Sequence, residues 1–474
     1  MVMDRKPAVE KCCSVLLEDP KENCDSSQDS FSLPEGLSSC EEFGHVKGKT
    51  PAPNVLPPGS KYHVVTYPGQ SPLVRAVAVG EDRNAAWRKD MEDTSVIIDS
   101  YGGKEGTSFF GVFDGFHGRS SAECAARELS VLVLEQLVKL DPSFSLASEQ
   151  RDFLSQMEPL FERTASTSTD ARTVSEDQQM TQAFTTAFAH MDRLLGLGRN
   201  ETSKIRWSGC TSVVCIVDQE TAPEEDPNTL HGRMLIANCG NIHAVVYKNG
   251  KSFCMTEDYS LANPRECKRI LKEGGTISSN KQHGLVEGLL RATRGLGNYG
   301  NRRLRKVVPP KPYFLPLSLD ASVGLLVLGS SGLWDGVQPE EIAPIVRRCI
   351  HDCRKYHRSA SAAKEHHEGL DSSKLRETTE EPDDQGGCNE GPSCGVRLGE
   401  QQGEAPKSQP KDPSDKEDAG RDAGVEVNYE WLAASICRKL MKGAVAGGSR
   451  ENISVIVILL RGLDVLGVQS ENGV

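Results

Sequence analysis

Apolar residues occur along this chain mostly in short runs of strand length, separated by polar segments rich in glycine, asparagine and proline. Runs of this kind, bounded by turn residues, are typical of buried β-strands. They predict strands at residues 74–79, 94–98, 109–113, 211–217, 233–237, 324–328 and 453–460. The Asn249-Gly250 pair lies between two further runs and predicts a β-hairpin there.

Other stretches carry apolar residues at helical spacing, so that one face of each helix would meet a core. This periodicity predicts helices at residues 120–140, 178–195, 264–273, 339–353 and 428–442. The Pro-rich stretch 309–316 is predicted to be a connection. Strands, two helices, more strands, a helix and a final strand together predict an α+β fold of stacked layers.

Two segments lack this periodicity. Residues 1–60 are polar and rich in Ser, Pro and Glu, and residues 354–425 are charged with almost no large apolar side chains. Neither can bury enough apolar surface to offset its ordering entropy, so both are predicted to be disordered. The prediction is one folded domain made of residues 61–353 and 426–461, with 354–425 as an insertion and 462–474 as a tail.

The formal net charge of −12 argues against a protein that binds nucleic acid by general electrostatics. No apolar run approaches the ~18 residues that a membrane-spanning helix needs, and the first residues lack the apolar core of a signal peptide. Fifteen cysteines are scattered without a framework. We therefore expect reduced thiols, a cytoplasmic or nuclear location, and no membrane partner.

The stretch from Phe109 to Gly118 joins an apolar strand to Asp114-Gly115, just before a predicted helix. A carboxylate at the end of a buried strand is well held to bind a cation, and the glycine lets backbone atoms approach a ligand closely. Asp-Gly is also common turn chemistry. From this stretch alone, a cation site and a strand-ending turn are both open.

Several short motifs, in order, resemble the type-2C family of metal-dependent serine/threonine protein phosphatases. They include Trp87 to Asp93, Val112 to Gly115, Ala237 to Asn241, Thr293 to Asn298, Gly332 to Gly336 and Gly448 to Val455. The resemblance implies a β-sandwich of two antiparallel sheets flanked by helix pairs. It also implies two Mg²⁺ or Mn²⁺ ions at one edge, which lower the pKa of a bridging water for attack on a phosphoryl group.

Part of the family's site is retained. By resemblance, Glu92, Asp114 and the Gly115 carbonyl match metal ligands, and Asp93 matches the neighbouring acid. Asp335 in Gly-Leu-Trp-Asp is also kept, and Glu451 is a residual candidate ligand at a position where the family has Asp. Arg88 matches the arginine that binds the substrate phosphate, a role that suits a planar guanidinium.

Four further positions depart from the family pattern. Ser331, Asn241 and Asn298 stand where the family has aspartate, and each change removes one negative charge. Phe116 stands where the family has histidine, with His117 one position later. Two dications about 4 Å apart repel each other strongly and need carboxylates between them. The pattern predicts a pseudophosphatase that binds a phosphoprotein or another protein partner; a slow phosphatase with one metal on Glu92, Asp114 and Glu451 is the alternative.

The sequence offers two further candidate sites. Cys349 and Cys353, with His351 and His357 nearby, could supply zinc ligands, but a closed zinc site needs four well-placed ones. The glycine pattern at 295–300 resembles a dinucleotide fingerprint, but no helix is expected after it to face a pyrophosphate, so this site is rejected. The basic run 302–306 that follows is predicted to be a solvated loop; docking of a phosphate or an acidic partner is the alternative.

Overall fold

The computed structural model describes residues 63–161, 175–198, 203–220, 231–278, 284–355 and 427–463. The predicted disordered segments 1–60 and 354–425 lie almost entirely outside these residues, as does most of the predicted tail. All the strands described below lie within residues 63–353 and 428–463, which belong to one unit of the chain.

The first sheet has six antiparallel strands in the order β1-β2-β14-β13-β7-β8. Its strands are β1 (His63–Pro68), β2 (Val74–Asp82), β7 (His243–Lys248), β8 (Lys251–Cys254), β13 (Val323–Gly329) and β14 (Ile453–Leu460). The central strand β14 comes from the end of the chain, and its register places Val457 opposite Ala78 on one side and Val327 on the other. The two ends of the folded unit are therefore joined in one sheet.

The second sheet is also antiparallel, in the order β12-β6-β5-β4-β3, with the short strand β11 paired to β5. Its strands are β3 (Thr94–Asp99), β4 (Ser108–Phe116), β5 (Gly209–Gln219), β6 (Gly232–Cys239), β11 (Leu296–Gly297) and β12 (Tyr313–Leu319). A separate two-stranded ladder joins β9 (Ile277–Ser278) to β10 (Leu285–Val286).

Nine helical segments lie between β4 and β14 in the described part of the chain, apart from short 3-10 turns. They are α1 (Ser120–Leu140), α2 (Ser148–Phe161), α3 (Glu176–Leu195), α4 (Lys204–Trp207), α5 (Pro264–Lys272), α6 (Arg302–Val307), α7 (Ser331–Trp334), α8 (342–355) and α9 (Tyr429–Ala446).

Successive side chains of β4 point alternately into two different hydrophobic cores. Phe109 and Phe113 belong to the core shared with the helices of the α1 and α3 layer, whereas Phe110 and Val112 belong to the core between the two sheets. Both faces of this strand are buried, which is why it reads as a continuous apolar run in the sequence. The two antiparallel sheets with flanking helices confirm the predicted α+β sandwich.

Helix α9 covers the outer face of the first sheet at close range. A Cβ atom at Gly80 on β2 would lie only 2.4 Å from the Cys437 sulfur and 2.5 Å from the Met441 sulfur. Glycine at this position therefore allows the helix to pack directly on the strand.

Two local predictions were wrong, and two features were not predicted. The segment between α1 and α3, for which no element was predicted, contains helix α2. Part of the expected Pro-rich connection is strand β12. Proline is tolerated there because β12 is an edge strand. The basic run 302–306 lies in helix α6, which Asn301 caps and whose Leu304 and Val307 are buried. Strand β4 also continues through Asp114-Gly115 to Phe116 instead of turning there.

Among the described residues, no helix combines the length and apolar character required to cross a bilayer.

We predict that the α1 layer carries much of the stability of the domain. Leu129→Ala removes a fully buried side chain and should cost about 2–5 kcal/mol of unfolding free energy, seen as a lower urea midpoint. The matched control Leu289→Ala removes a side chain that is 49% exposed and should cost less than about 1 kcal/mol. Equal losses in the two variants would contradict the packing described here.

Candidate active site

Four segments meet at one edge of the sandwich. Strand β4 of the second sheet brings Asp114, and the turn from β13 into α7 in the first sheet brings Ser331. The loop between β2 and β3 supplies Arg88, Glu92 and Asp93, and the residues just before β14 supply Glu451 and Asn452. The four segments are distant in sequence and are brought together by strand pairing and by the packing of the two sheets.

Asp114 connects the two sheets through a backbone hydrogen bond. The Ser331 amide at the start of α7 donates to Asp114 Oδ2 over 2.8 Å. Burial raises the pKa of Asp114 despite this bond, and the nearby Asp335 carboxylate raises it further. The turn that would carry a bridging aspartate in the family thus presents an N–H donor and a neutral hydroxyl to Asp114.

Glu92 and Gly115 are in close contact. A Cβ atom at Gly115 would lie 2.3 Å from the Glu92 carbonyl oxygen, so only glycine allows this approach. The Glu92 carboxylate accepts a hydrogen bond from the Gly118 amide over 2.9 Å. Burial raises the pKa of Glu92, and the Gly118 bond and Arg88 partly offset this effect. The structure brings these predicted residues together, and the ligand role of the Gly115 carbonyl stays a prediction.

Asn452 holds the β2–β3 loop against β14. Its side-chain oxygen accepts from the Glu92 amide over 2.9 Å, and its side-chain nitrogen donates to the carbonyls of Arg83 and Asp90 over 2.8 and 3.0 Å. An amide can fill this role because it carries both a donor and an acceptor. In the sequence, Asn452 stood out only as the neighbour of the candidate ligand Glu451. Its hydrogen bonds to the β2–β3 loop were not predicted.

Asp93 is buried beside Asp114. Burial, together with the Asp114 carboxylate, raises the pKa of Asp93 well above its ordinary value, although Ser454 and Ser330 lower it in part. Asp93 Oδ2 has no hydrogen-bond partner within the described part of the chain. An ionised carboxylate at this position is therefore costly for the folded state.

Arg88 is engaged by the protein itself. Its guanidinium forms an ion pair with Glu451 Oε2, and its Nε donates to the Arg450 carbonyl over 3.2 Å. Its side chain is still 41% exposed. The predicted phosphate-binding arginine and the predicted residual metal ligand therefore contact each other.

Asp335 is paired with an arginine that the sequence analysis did not single out. Arg291 Nη1 lies 2.6 Å from Asp335 Oδ2 and 4.0 Å from Glu451 Oε1. Arg291 stands between the buried residues Leu290 and Ala292. In the sequence, the available signal was that Arg291 is a single charged residue within an apolar stretch.

Phe116 and Asn298 lie near each other at the end of β4. A Cβ atom at Gly209 would meet the Phe116 ring at 2.5 Å and Asn298 Nδ2 at 2.7 Å. The Asn298 backbone amide donates to the Ser208 carbonyl over 2.9 Å. His117 has a φ of +59° and is exposed, with its ring edge-on to that of Phe116.

Asn241 lies in the turn from β6 to β7, next to Gly240 with its φ of +115°. Asn238 holds this turn by donating to the carbonyls of Gly240 and Ile242.

The residues predicted as candidate zinc ligands do not all lie in one buried place. Cys349 and Cys353 are buried on α8, where burial raises the pKa of Cys349 to about 11, while His351 is exposed and His357 lies outside the described residues.

Most of the site lies in a part of the chain that matches a known protein family. The sequence model of the family described as "Protein phosphatase 2C" matches residues 77–368, more than half of the chain. The chain belongs to the protein phosphatase 2C family. The match includes the β2–β3 loop, β4 and the β13–α7 turn, which supply most of the residues at the sandwich edge.

Two curated relatives are both described as "Protein phosphatase 2C-like domain-containing protein 1". The human protein is 36% identical over 311 residues, which are 59% of this chain and 49% of that protein. The mouse protein is 29% identical over 484 residues, 91% of this chain and 76% of that protein. The chain thus aligns with only about half the length of the human relative.

A solved serine-threonine phosphatase 2C from Toxoplasma gondii is also similar. The structural match has a TM-score of 0.47 and 16% identity, and it covers 84% of this chain and 99% of that one.

Four acidic residues of the site have partners within the protein. Asp114 and Glu92 each accept a backbone N–H, and Asp335 and Glu451 face guanidinium groups. Across residues 63–161, 175–198, 203–220, 231–278, 284–355 and 427–463, no three His, Cys, Asp or Glu side chains are placed to hold one metal ion. Mg²⁺ and Ca²⁺ sites usually need six or so oxygen ligands.

We predict that Asp93→Asn stabilises the protein. Because the pKa of Asp93 is raised on folding, the folded state holds this proton at pH values where the unfolded state has lost it. The free energy of unfolding therefore falls as the pH rises above the ordinary pKa of aspartate. Asparagine removes this cost and should add about 1 kcal/mol or more near pH 8, with a smaller gain near pH 5. Urea denaturation at both pH values measures the difference.

The control for this prediction is Asp152→Asn, which changes the net charge equally at an exposed position of α2. It should leave the stability within about 0.5 kcal/mol of the parent protein. A loss of stability in Asp93→Asn, or a gain that does not grow with pH, would contradict the interpretation of Asp93 as a costly buried charge.

Proposed function

We propose that this protein is a pseudophosphatase: a type-2C domain that binds a protein partner and does not turn over phosphate esters efficiently. The observation that carries the proposal is the bond from the Ser331 amide to Asp114 Oδ2. A carboxylate at residue 331 would add a charge to bridge two cations. Serine adds no charge there, and Asp114 faces a backbone N–H and a neutral hydroxyl.

The charge balance supports the same proposal. Ser331, Asn241 and Asn298 together remove three negative charges relative to the family pattern. Two dications about 4 Å apart repel strongly unless carboxylates lie between them. Serine and amide oxygens are neutral ligands and offset none of this repulsion.

The same site keeps a group that recognises phosphate. Arg88 is partly exposed and presents a planar guanidinium, which pairs well with the oxygens of a phosphate. Its present partner is Glu451, so an incoming phosphate would exchange with a single carboxylate. A phosphoserine or phosphothreonine segment of a partner protein is the ligand class that this chemistry favours.

The first experiment is a Mn²⁺ titration by calorimetry, with phosphopeptide turnover assayed on the same sample. We expect no binding of two ions below millimolar Mn²⁺ and no metal-dependent turnover. The triple variant Ser331→Asp, Asn241→Asp, Asn298→Asp restores three charges and should bind Mn²⁺ more tightly than the parent. Metal-dependent turnover by the parent that Asp114→Asn abolishes would instead establish the slow single-metal phosphatase.

A second experiment tests phosphoprotein binding. A fluorescent phosphopeptide should bind more tightly than its unphosphorylated form, and Arg88→Ala should weaken binding about tenfold. The exposed Arg265 on α5 gives a matched control, because Arg265→Ala removes an equal charge away from the sandwich edge. Equal affinity for both peptides would mean that partners are bound through another surface.

A further inference from the structure

Two arginines and two carboxylates alternate at the sandwich edge. Asp335 Oδ2 contacts Arg291 Nη1 at 2.6 Å, and the same nitrogen lies 4.0 Å from Glu451 Oε1. Glu451 Oε2 in turn contacts the Arg88 guanidinium. The order Asp335, Arg291, Glu451, Arg88 forms a continuous row of opposite charges, which we call the guanidinium row.

The backbone fixes Arg291 in this row. Leu290 and Ala292 on either side are buried, and Ala292 pairs with Ser260 in an isolated β-bridge. The next amide, that of Thr293, donates to the Tyr259 carbonyl over 2.8 Å. Because the neighbouring side chains face the core, the side chain of Arg291 faces the cleft, and little backbone entropy is lost in ordering it.

The charge of the row fits the reduced charge of the site. Aspartate is replaced by Ser331, Asn241 and Asn298, so fewer negative charges remain to be offset. A guanidinium carries one positive charge, is less strongly hydrated than an ammonium, and matches a carboxylate geometrically. The guanidinium groups of Arg291 and Arg88 together carry two positive charges, which equal the two negative charges of Asp335 and Glu451.

We propose that Arg291, together with Arg88, is the resident counter-cation of this site and takes the place of divalent metal. Arg291 is the central member because it lies between Asp335 and Glu451. While Arg291 is present, Asp335 Oδ2 and Glu451 Oε1 already face a positive charge. This inference rests on the proposed pseudophosphatase function and adds the group that keeps the site closed to metal.

The test is thermal unfolding in the presence and absence of Mn²⁺. The parent protein should show no Mn²⁺-dependent change in Tm. Arg291→Ala removes the central cation and should acquire a Mn²⁺-dependent rise in Tm of about 3 °C at ~5 mM, the shift expected when the ligand is at about ten times its Kd. The double variant Arg88→Ala, Arg291→Ala should show a larger rise.

Three controls separate this effect from general electrostatics. Arg291→Lys keeps the charge and should stay insensitive to Mn²⁺. Arg265→Ala removes an exposed arginine elsewhere and should also stay insensitive. KCl at matched ionic strength should not reproduce the shift, because screening acts on all exposed charges alike.

The outcomes distinguish this inference from the proposed function. A stable Arg291→Ala protein that shows no Mn²⁺ response, even with Arg88→Ala added, would overturn the counter-cation role and leave the absence of turnover untouched. A parent protein that itself responds to Mn²⁺ as strongly as the variants would also overturn it. Metal-dependent turnover by the parent would overturn the proposed function instead.

Discussion

The hydrogen bond from the Ser331 amide to Asp114 is the contact on which the geometry of the cleft depends. It joins the last part of β4 in one sheet to the turn after β13 in the other, at the edge where the site residues meet. The bond lies in a partly buried place where burial already raises the pKa of Asp114. A lost partner there would leave a buried carboxylate without its donor, at a cost of about 1–3 kcal/mol or more.

The other acidic side chains of the cleft also have hydrogen-bond or ion-pair partners within the protein. Gly118 donates to Glu92, Asn452 fixes the loop that carries Glu92, and the guanidinium row occupies Asp335 and Glu451. These hydrogen bonds and ion pairs hold the cleft residues in place from within the described part of the protein.

Most of the fold was predictable because it rests on local patterns. The apolar run 109–113, the helical stripe along α1 and the Asn249-Gly250 turn each determine a structure within a few neighbouring residues. The failures have specific causes. Helix α2 contains Pro159, and strand β12 contains Pro316 at the edge of its sheet. The basic helix α6 depends on Asn301 and on an ion pair of Arg305 with Asp192.

The site divides in the same way between sequence and structure. The sequence by itself determined the residue types at each motif position: the retained Glu92 and Asp114, and the replacements at Ser331 and Asn298. It could not determine which charges face one another, because Arg291 and Asp335 are 44 residues apart and meet only after the sandwich has formed. Coulombic pairing depends on distance in space, and that distance was decided by the tertiary structure alone.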